Sequence, residues 1–216
     1  ETEFELLQRY CELAEIDLKA SLVQCQHISG INRASDPNLI AFVKQAVCWE
    51  SAVVITIDNE KGAGDIVRLL KAQRIADTQR GIGDLDQDDL FWGVFVWPTN
   101  LENGNFSAGQ LFDAWLLAVS QGDEGTGTPL PKDEWRAEFV AFAGERVAMA
   151  PLELVHAFAK AKQMRPEKRG VGAFLPDVLA AERSEHPELP LLPIEKLLNK
   201  VLPLAWRLRN GRMVHE

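Results

Sequence analysis

Two short, strongly apolar segments constrain the fold of this chain more than any other feature. Residues 51–58 read SAVVITID and residues 90–97 read LFWGVFVW, and both are rich in β-branched and aromatic side chains. A continuous apolar run of this length is typical of a strand covered on both faces, as in a parallel sheet. A third segment, SLVQCQHIS at residues 21–29, alternates apolar and polar side chains and also predicts a strand.

Helical patterns alternate with these strands. Apolar residues recur at helical spacing in residues 4–18, 35–49, 64–76 and 107–120. An alternation of strands and helices is the signature of βαβ units. We therefore predict an α/β fold, in which a small parallel sheet with flanking helices is followed by an all-helical C-terminal region.

The clearest linker is GDEGTGTPLP at residues 122–131, which is rich in glycine, proline and threonine. It predicts an α/β domain with an N-terminal helix over residues 1–121 and a helical region over residues 132–216. The two parts either stay separate or pack as one globular unit. Beyond the linker, the spacing of apolar residues predicts helices over 132–149, 151–163, 173–185 and about 194–209.

Composition and charge limit the cellular compartment and the kinds of partner that we expect for this chain. No apolar run approaches the roughly 20 residues of a membrane-spanning helix, the first residues are acidic, and the three cysteines make no paired framework. We therefore expect a cytoplasmic protein with no membrane contact.

Residues 1–150 carry 12 basic and 24 acidic side chains, whereas residues 151–216 carry 11 basic and 8 acidic ones. The acidic body predicts a basic protein partner, and the basic tail predicts a local phosphate contact.

The segment DNEKGAGD at residues 58–65 is the first candidate site. It follows a predicted parallel strand, and ligands of such sheets bind beyond the carboxyl ends of the strands. Asp58, Glu60 and Asp65 offer three carboxylates, which favour Mg²⁺ over an anion. The alternative is a tight turn, in which the two glycines relax the backbone and Asp65 lies in the first turn of a helix.

This region resembles the topoisomerase–primase (toprim) type of domain, in particular its small, divergent bacterial branch. The resemblance rests on VVITIDNEKGAGDIVRLL, GVFVWPTN and GQLFDAWLL, and it covers roughly residues 50–117. It implies a Mg²⁺-binding acidic site for phosphoryl transfer or nucleic-acid cleavage. Asp58 matches the strand-ending aspartate of the family, Asp113 matches the late one, and Glu60 replaces the second aspartate of an Asp-x-Asp pair.

The chain departs from this family where catalysis needs a general base. The family has a glutamate after its first strand, but the corresponding residues 26–30 read QHISG and contain no acid. Phe112 stands where a further acid precedes the late aspartate. Without the base, the resemblance favours metal binding without catalysis.

A basic segment follows the predicted helix at 151–163. KAKQMRPEKRG, residues 160–170, contains five basic side chains: Lys160, Lys162, Arg165, Lys168 and Arg169. These predict a contact with nucleic-acid phosphates or with an acidic partner. The absence of interleaved aromatic residues argues against stacking on single-stranded bases, and a solvated helix end explains the segment equally.

The C-terminal residues LRNGRMVHE resemble the Arg-polar-x-His signature of HEPN ribonucleases. The resemblance implies cleavage of RNA without metal, with His215 as acid and base and Arg209 as the residue that binds the phosphate.

Three hypotheses for the function of the chain follow from these motifs. The favoured one is a non-catalytic binding or regulatory subunit of a bacterial-type protein complex, because each catalytic motif lacks a member. The alternatives are a Mg²⁺-dependent toprim-like phosphoryl-transfer enzyme or nuclease, and a metal-independent HEPN-type ribonuclease.

Overall fold

The computed structural model describes residues 2–13, 15–17, 53–59, 92–122, 131–164 and 171–199, together with Pro37, Ala41, Gly64 and Arg68. Most of these residues are helical. In chain order the elements are α1 (Thr2–Leu13), β1 (Val53–Ile57), β2 (Trp92–Val96), α2 (Leu101–Asn105), α3 (Ala108–Gly122), α4 (Lys132–Gly144), α5 (Pro151–Ala161), α6 (Val171–Glu185) and α7 (193–199).

The chain divides into two compact units that are interleaved in sequence. The helical unit comprises residues 1–18 and 105–193, and therefore contains α1 and α3 to α6. The strand unit comprises residues 19–104 and 194–216, and contains β1, β2 and most of α2 and α7. The domain boundary that the sequence predicts at residues 122–131 stays a prediction, because residues 123–130 lie outside the described residues.

Helix α3 is the central element of the helical unit. It packs against α4, α5 and α6, and α6 packs in turn against α1. Its residues Leu111, Phe112, Ala114, Trp115 and Leu116 are all at most 2% exposed. Apolar residues at consecutive positions surround most of a helix instead of forming one stripe, which is the pattern of a helix buried among others.

Stacked aromatic rings join α3 to α4 and α5. The rings of Phe112 and Phe139 stack with centroids 4.2 Å apart, and Phe158 meets each of them edge-on at 5.4 Å. Trp115 of α3 also stacks on Trp135 of α4 at 6.0 Å. Offset and edge-to-face pairs at these distances add attraction to the burial of the rings themselves, so this cluster anchors the three helices to one another.

Polar contacts connect α6 to α1 and α3. The guanidinium of Arg9 donates two hydrogen bonds to the carboxylate of Asp177, at 2.9 and 2.7 Å. The hydrogen bond to Asp177 and its charge raise the pKa of Arg9 further above its ordinary value. The side-chain amide of Gln110 donates to Glu182 at 2.5 Å. A two-pronged Arg–carboxylate pair has strict geometry, so it orients α1 on α6.

A capping box begins α3. Ser107 Oγ accepts the backbone N–H of Gln110 at 3.2 Å, and Gln110 Oε1 accepts the backbone N–H of Ser107 at 2.8 Å. This reciprocal pair satisfies two backbone donors at the helix start. The Ser-x-x-Gln spacing is readable in the sequence, and it explains why the helix begins at the position where the apolar pattern starts.

Helices α1 and α5 end in Schellman motifs without glycine. Glu15 and Gln163 adopt left-handed backbone angles, with φ of 54° and 59°. After α5, the N–H of Met164 donates to Ala159 O at 2.9 Å and that of Gln163 to Lys160 O at 3.0 Å. This pattern normally places glycine at the left-handed residue, because a Cβ there crowds the backbone.

Gln163→Gly should therefore stabilise the helical unit by about 0.5–1 kcal/mol, because relief of the left-handed strain exceeds the added entropy of the unfolded chain. The measurement is the midpoint of denaturant unfolding, and the exposed Gln8→Gly within α1 is the control. The control should destabilise by about 0.5–1 kcal/mol, since glycine is unfavourable inside a helix. A loss of stability in Gln163→Gly would contradict the assignment of strain.

Within the described residues, the strand unit contains one pair of parallel strands. β1 and β2 pair in register from Val53 opposite Trp92 to Ile57 opposite Val96. Trp97 and Leu101, which follow β2, are 4% and 2% exposed. In α7, Ile194, Leu197 and Leu198 are buried, which is the i, i+3, i+4 spacing of one helix face.

The predicted α/β fold class is wrong. The described residues are mostly helical, and the sheet within them consists of two strands of five residues. The large described core packs helix on helix, around α3, and not helices on a sheet. The toprim-like architecture that the resemblance implied is wrong for the same reason, since that site needs an extended parallel sheet. The predicted strand at 21–29 lies outside the described residues.

The predicted helices that fall within the described residues are confirmed in position, although α1 ends at Leu13 and α4 at Gly144, before the predicted ends at 18 and 149. The N-terminal helix, the helix after residue 107 and the first three helices after the linker correspond to α1, α3, α4, α5 and α6. The last predicted helix corresponds to α7 over residues 193–199, and its remainder lies outside the described residues. Local apolar periodicity therefore located these helices correctly, although it did not give the fold class.

Candidate functional site

Asp58 lies at the end of β1, where the sequence placed the acidic site. Its Oδ1 accepts the backbone N–H of Leu101, the first residue of α2, at 3.1 Å. The next residue, Asn59, donates its N–H to Thr99 O at 2.6 Å and its side-chain amide to Pro98 O at 3.1 Å. The turn after β1 is thus bonded to the segment after β2, and the carboxylate of Asp58 has a structural role at the start of a helix.

Two further residues complete the start of α2. Asn100 Oδ1 accepts the N–H of Asn103 at 2.8 Å, which is the bond of an N-cap residue. A Cβ at Gly104 would lie 2.9 Å from Pro98 Cδ, so only glycine lets the helix approach the proline ring this closely. The local sequence WPTNLENGN therefore encodes a capped turn of helix packed on its own preceding proline.

Asp58→Ala should destabilise the protein by about 1–2 kcal/mol, because the N–H of Leu101 loses its acceptor at a buried helix start. Asp58→Asn retains an oxygen acceptor and should cost less than about 0.5 kcal/mol. Denaturant unfolding of both variants measures the difference. Equal stability of Asp58→Ala and the natural chain would contradict the capping role, whereas a Mg²⁺-dependent rise of the melting temperature that Asp58→Asn abolishes would show that the carboxylate binds metal.

Asp113 has a partner of its own in the helical unit. Its Oδ1 accepts a hydrogen bond from Arg136 Nε at 2.7 Å, which joins α3 to α4. Glu60 and Asp65 lie outside the described residues. Within the described part of the chain, no three His, Cys, Asp or Glu side chains are grouped so that they could hold a metal ion. The convergence of Asp58, Glu60 and Asp113 on one Mg²⁺ ion stays a prediction.

Lys162 of the predicted basic segment is engaged within the helical unit. It forms an ion pair with Glu138, and its Nζ lies 5.5 Å from the ring centroids of both Trp135 and Phe158. A lysine held by a carboxylate and two rings is a packing residue. Lys160 is exposed on α5. Arg165, Lys168 and Arg169 lie outside the described residues, as do Arg209 and His215, so these phosphate and ribonuclease hypotheses stay predictions.

Sequence reasoning missed the outward face of α4. Four small or apolar residues of the helix, at spacings of three and four, are exposed: Ala137, Val140, Ala141 and Gly144. Val147 and Ala148, in the turn that follows the helix, are exposed as well. The side chain of Val140 is 71% exposed and that of Val147 is 86% exposed. The opposite side of the same helix carries Trp135, Phe139 and Phe142, which face the aromatic cluster. The sequence did contain a signal for this face, because the predicted helix over 132–149 has apolar residues on two sides.

The net negative charge of the protein belongs to the helical unit. That unit carries 19 acidic and 10 basic side chains, which gives −9, whereas the strand unit carries 13 of each and is neutral. From the sequence, we expected an acidic body over residues 1–150 and a basic tail over residues 151–216. The structure divides it differently, because residues 19–104 group with the C-terminal residues and not with α1.

The helical unit therefore combines a strong negative charge with one exposed apolar helix face. Among the helices that the structure describes, none is long and apolar enough to cross a membrane. Comparisons with protein-family models, with characterised proteins and with solved structures found no protein that matches this chain.

Proposed function

We propose that this chain is a binding or regulatory subunit of a protein complex, with no catalytic role of its own. The observation that carries the proposal is the outward face of α4, where Val140 is exposed on a helix whose other side is packed, together with Val147, which is exposed in the turn that follows the helix. Exposed apolar side chains that group on one surface, with polar residues around them, characterise protein contact sites.

The charge of the helical unit supports a basic partner. The outward face of α4 begins with Asp133 and Glu134, which are exposed, and the whole unit has a net charge of −9. Of the two basic residues in this helix, Arg136 is held by Asp113 and Lys132 is exposed. We infer a protein partner whose surface has an apolar centre and basic surroundings, because opposite potentials speed encounter and exclude wrong partners.

Val140→Arg is the variant that tests this proposal. It replaces the centre of the apolar face by a positive charge, and it should weaken the complex at least about tenfold, as loss of a central interface contact does. The side chain is exposed, so the variant should fold normally. Leu13→Arg, a change of the same chemistry at an exposed leucine of α1, is the matched control.

The measurement is quantitative recovery of the partner with a tagged chain, without crosslinking, from the organism that encodes it. A stoichiometric, basic partner should be retained by the natural chain and by Leu13→Arg, and be lost from Val140→Arg. Raising the salt from about 0.15 M to about 1 M shortens the Debye length from about 8 Å to about 3 Å, and it should release the same partner. Equal recovery from all three chains would refute the proposal.

A further inference from the structure

A proline-rich segment follows α6, and its exposure requires an explanation. This segment, HPELPLLP at residues 186–193, has a proline at every third position: Pro187, Pro190 and Pro193. Seven of its eight residues are exposed, and Leu192 is half-buried. The segment also contains Leu189 and Leu191, which are 37% and 44% exposed and are thus among the few large apolar side chains on the described surface.

A connection between two helices explains only part of this composition. Pro187 lies just after the end of α6, and Pro193 is the first residue of α7, which are both positions where proline is common for reasons of backbone geometry. Pro190 has neither role. The leucines on its two sides direct apolar surface to solvent, although a connecting segment is usually polar. Leu189, Pro190 and Leu191 therefore remain unexplained by the fold.

The segment is held in place by α6. The guanidinium of Arg183 donates hydrogen bonds to the carbonyl oxygens of Leu189 and Pro190, the latter at 2.8 Å. A turn precedes them, since Leu189 N–H donates to His186 O at 3.2 Å, and residues 190–192 are then neither helix nor strand. Holding a peptide in place before binding reduces the conformational entropy that binding has to overcome.

We propose that residues 189–193, Leu-Pro-Leu-Leu-Pro, are a docking peptide for a protein domain whose aromatic groove binds polyproline II helices. This helix has three residues per turn, so Pro190 and Pro193 lie on the same edge and enter the groove together. Leu191 supplies the apolar contact between them. The exposed carboxylates of Glu185 and Glu188 flank the segment, so the fitting groove has basic residues at its rim.

This docking site is separate from the outward face of α4, and the two proposals are tested by different variants. The experiment measures binding of the full chain to a panel of purified SH3 and WW domains by fluorescence anisotropy. At least one domain should bind, and Pro190→Ala should weaken that binding at least tenfold. Pro187→Ala, the control at the helix-end proline, should change it less than threefold. Circular dichroism should show that both variants remain folded.

Two results would overturn the docking proposal. The first is that no domain of the panel binds the full chain. The second is that Pro190→Ala and Pro187→Ala weaken binding equally, since that would assign the effect to the shape of the connection and not to the docking peptide. Val140→Arg should leave domain binding unchanged, so a failure of the α4 proposal and a failure of this one are distinguishable.

Discussion

Phe158→Ala should lower the free energy of unfolding of the helical unit by about 3–5 kcal/mol, the range for large-to-small changes of buried aromatic residues. Phe158 is 2% exposed and its ring meets three others edge-on, those of Phe112, Phe139 and Phe142. Its removal leaves a cavity at the point where α3, α4 and α5 meet, and it also removes one of the two rings beside Lys162.

Chemical denaturation followed by circular dichroism measures this loss, with Phe158→Leu as the conservative variant. Leucine refills most of the volume without the ring geometry, so it should cost about 1–2 kcal/mol. The order of the two variants is the decisive result. If Phe158→Leu costs nothing while Phe158→Ala is destabilising, the edge-to-face contacts of the ring contribute nothing beyond its volume. If neither destabilises, the aromatic cluster does not anchor the helices.

Leu175→Ala should destabilise the helical unit by about 2–5 kcal/mol. Leu175 is 0% exposed on α6, the helix that packs against both α1 and α3. Truncation of a fully buried leucine removes apolar contact and leaves a cavity in the helix core.

Leu13→Ala provides the matched control for Leu175→Ala, because the same atoms are removed from a side chain that is 44% exposed. The control should cost less than about 1 kcal/mol, since nearly half of the leucine surface is already in water. Unfolding midpoints of the two variants in the same denaturant give the comparison. Similar losses in both would contradict the complete burial of Leu175 in the helix core.

The positions of the helices were predictable because each has a local cause. Apolar spacing marked α1, α3, α4, α5 and α6, and Pro151 at the first position of α5 fits helix geometry. The fold class was not predictable by the same means. A continuous apolar run indicates a buried segment, but it does not indicate how many strands pair with it or whether helices pack on them or on one another.

The candidate site residues show the same difference between what a local sequence pattern predicts and what contacts with distant residues decide. The sequence correctly placed Asp58 at the end of a strand, but the N–H that its carboxylate accepts belongs to Leu101, 43 positions further along the chain. It also listed Lys162 with the phosphate-binding residues, although Glu138 and two aromatic rings surround its ammonium group. Both assignments depend on which distant residues approach, and no local pattern contains that information.

The sequence by itself determined which segments become helices, how α3 is capped and that the chain is acidic. It could do so because propensity, capping and apolar periodicity act over a few neighbouring residues. Only the tertiary structure decided that the core is helix on helix, that the net charge of −9 belongs to the helical unit, and that the outward face of α4 is exposed. These properties arise from contacts between residues far apart in the chain, because burial depends on which surfaces meet and not on which residues are adjacent in sequence.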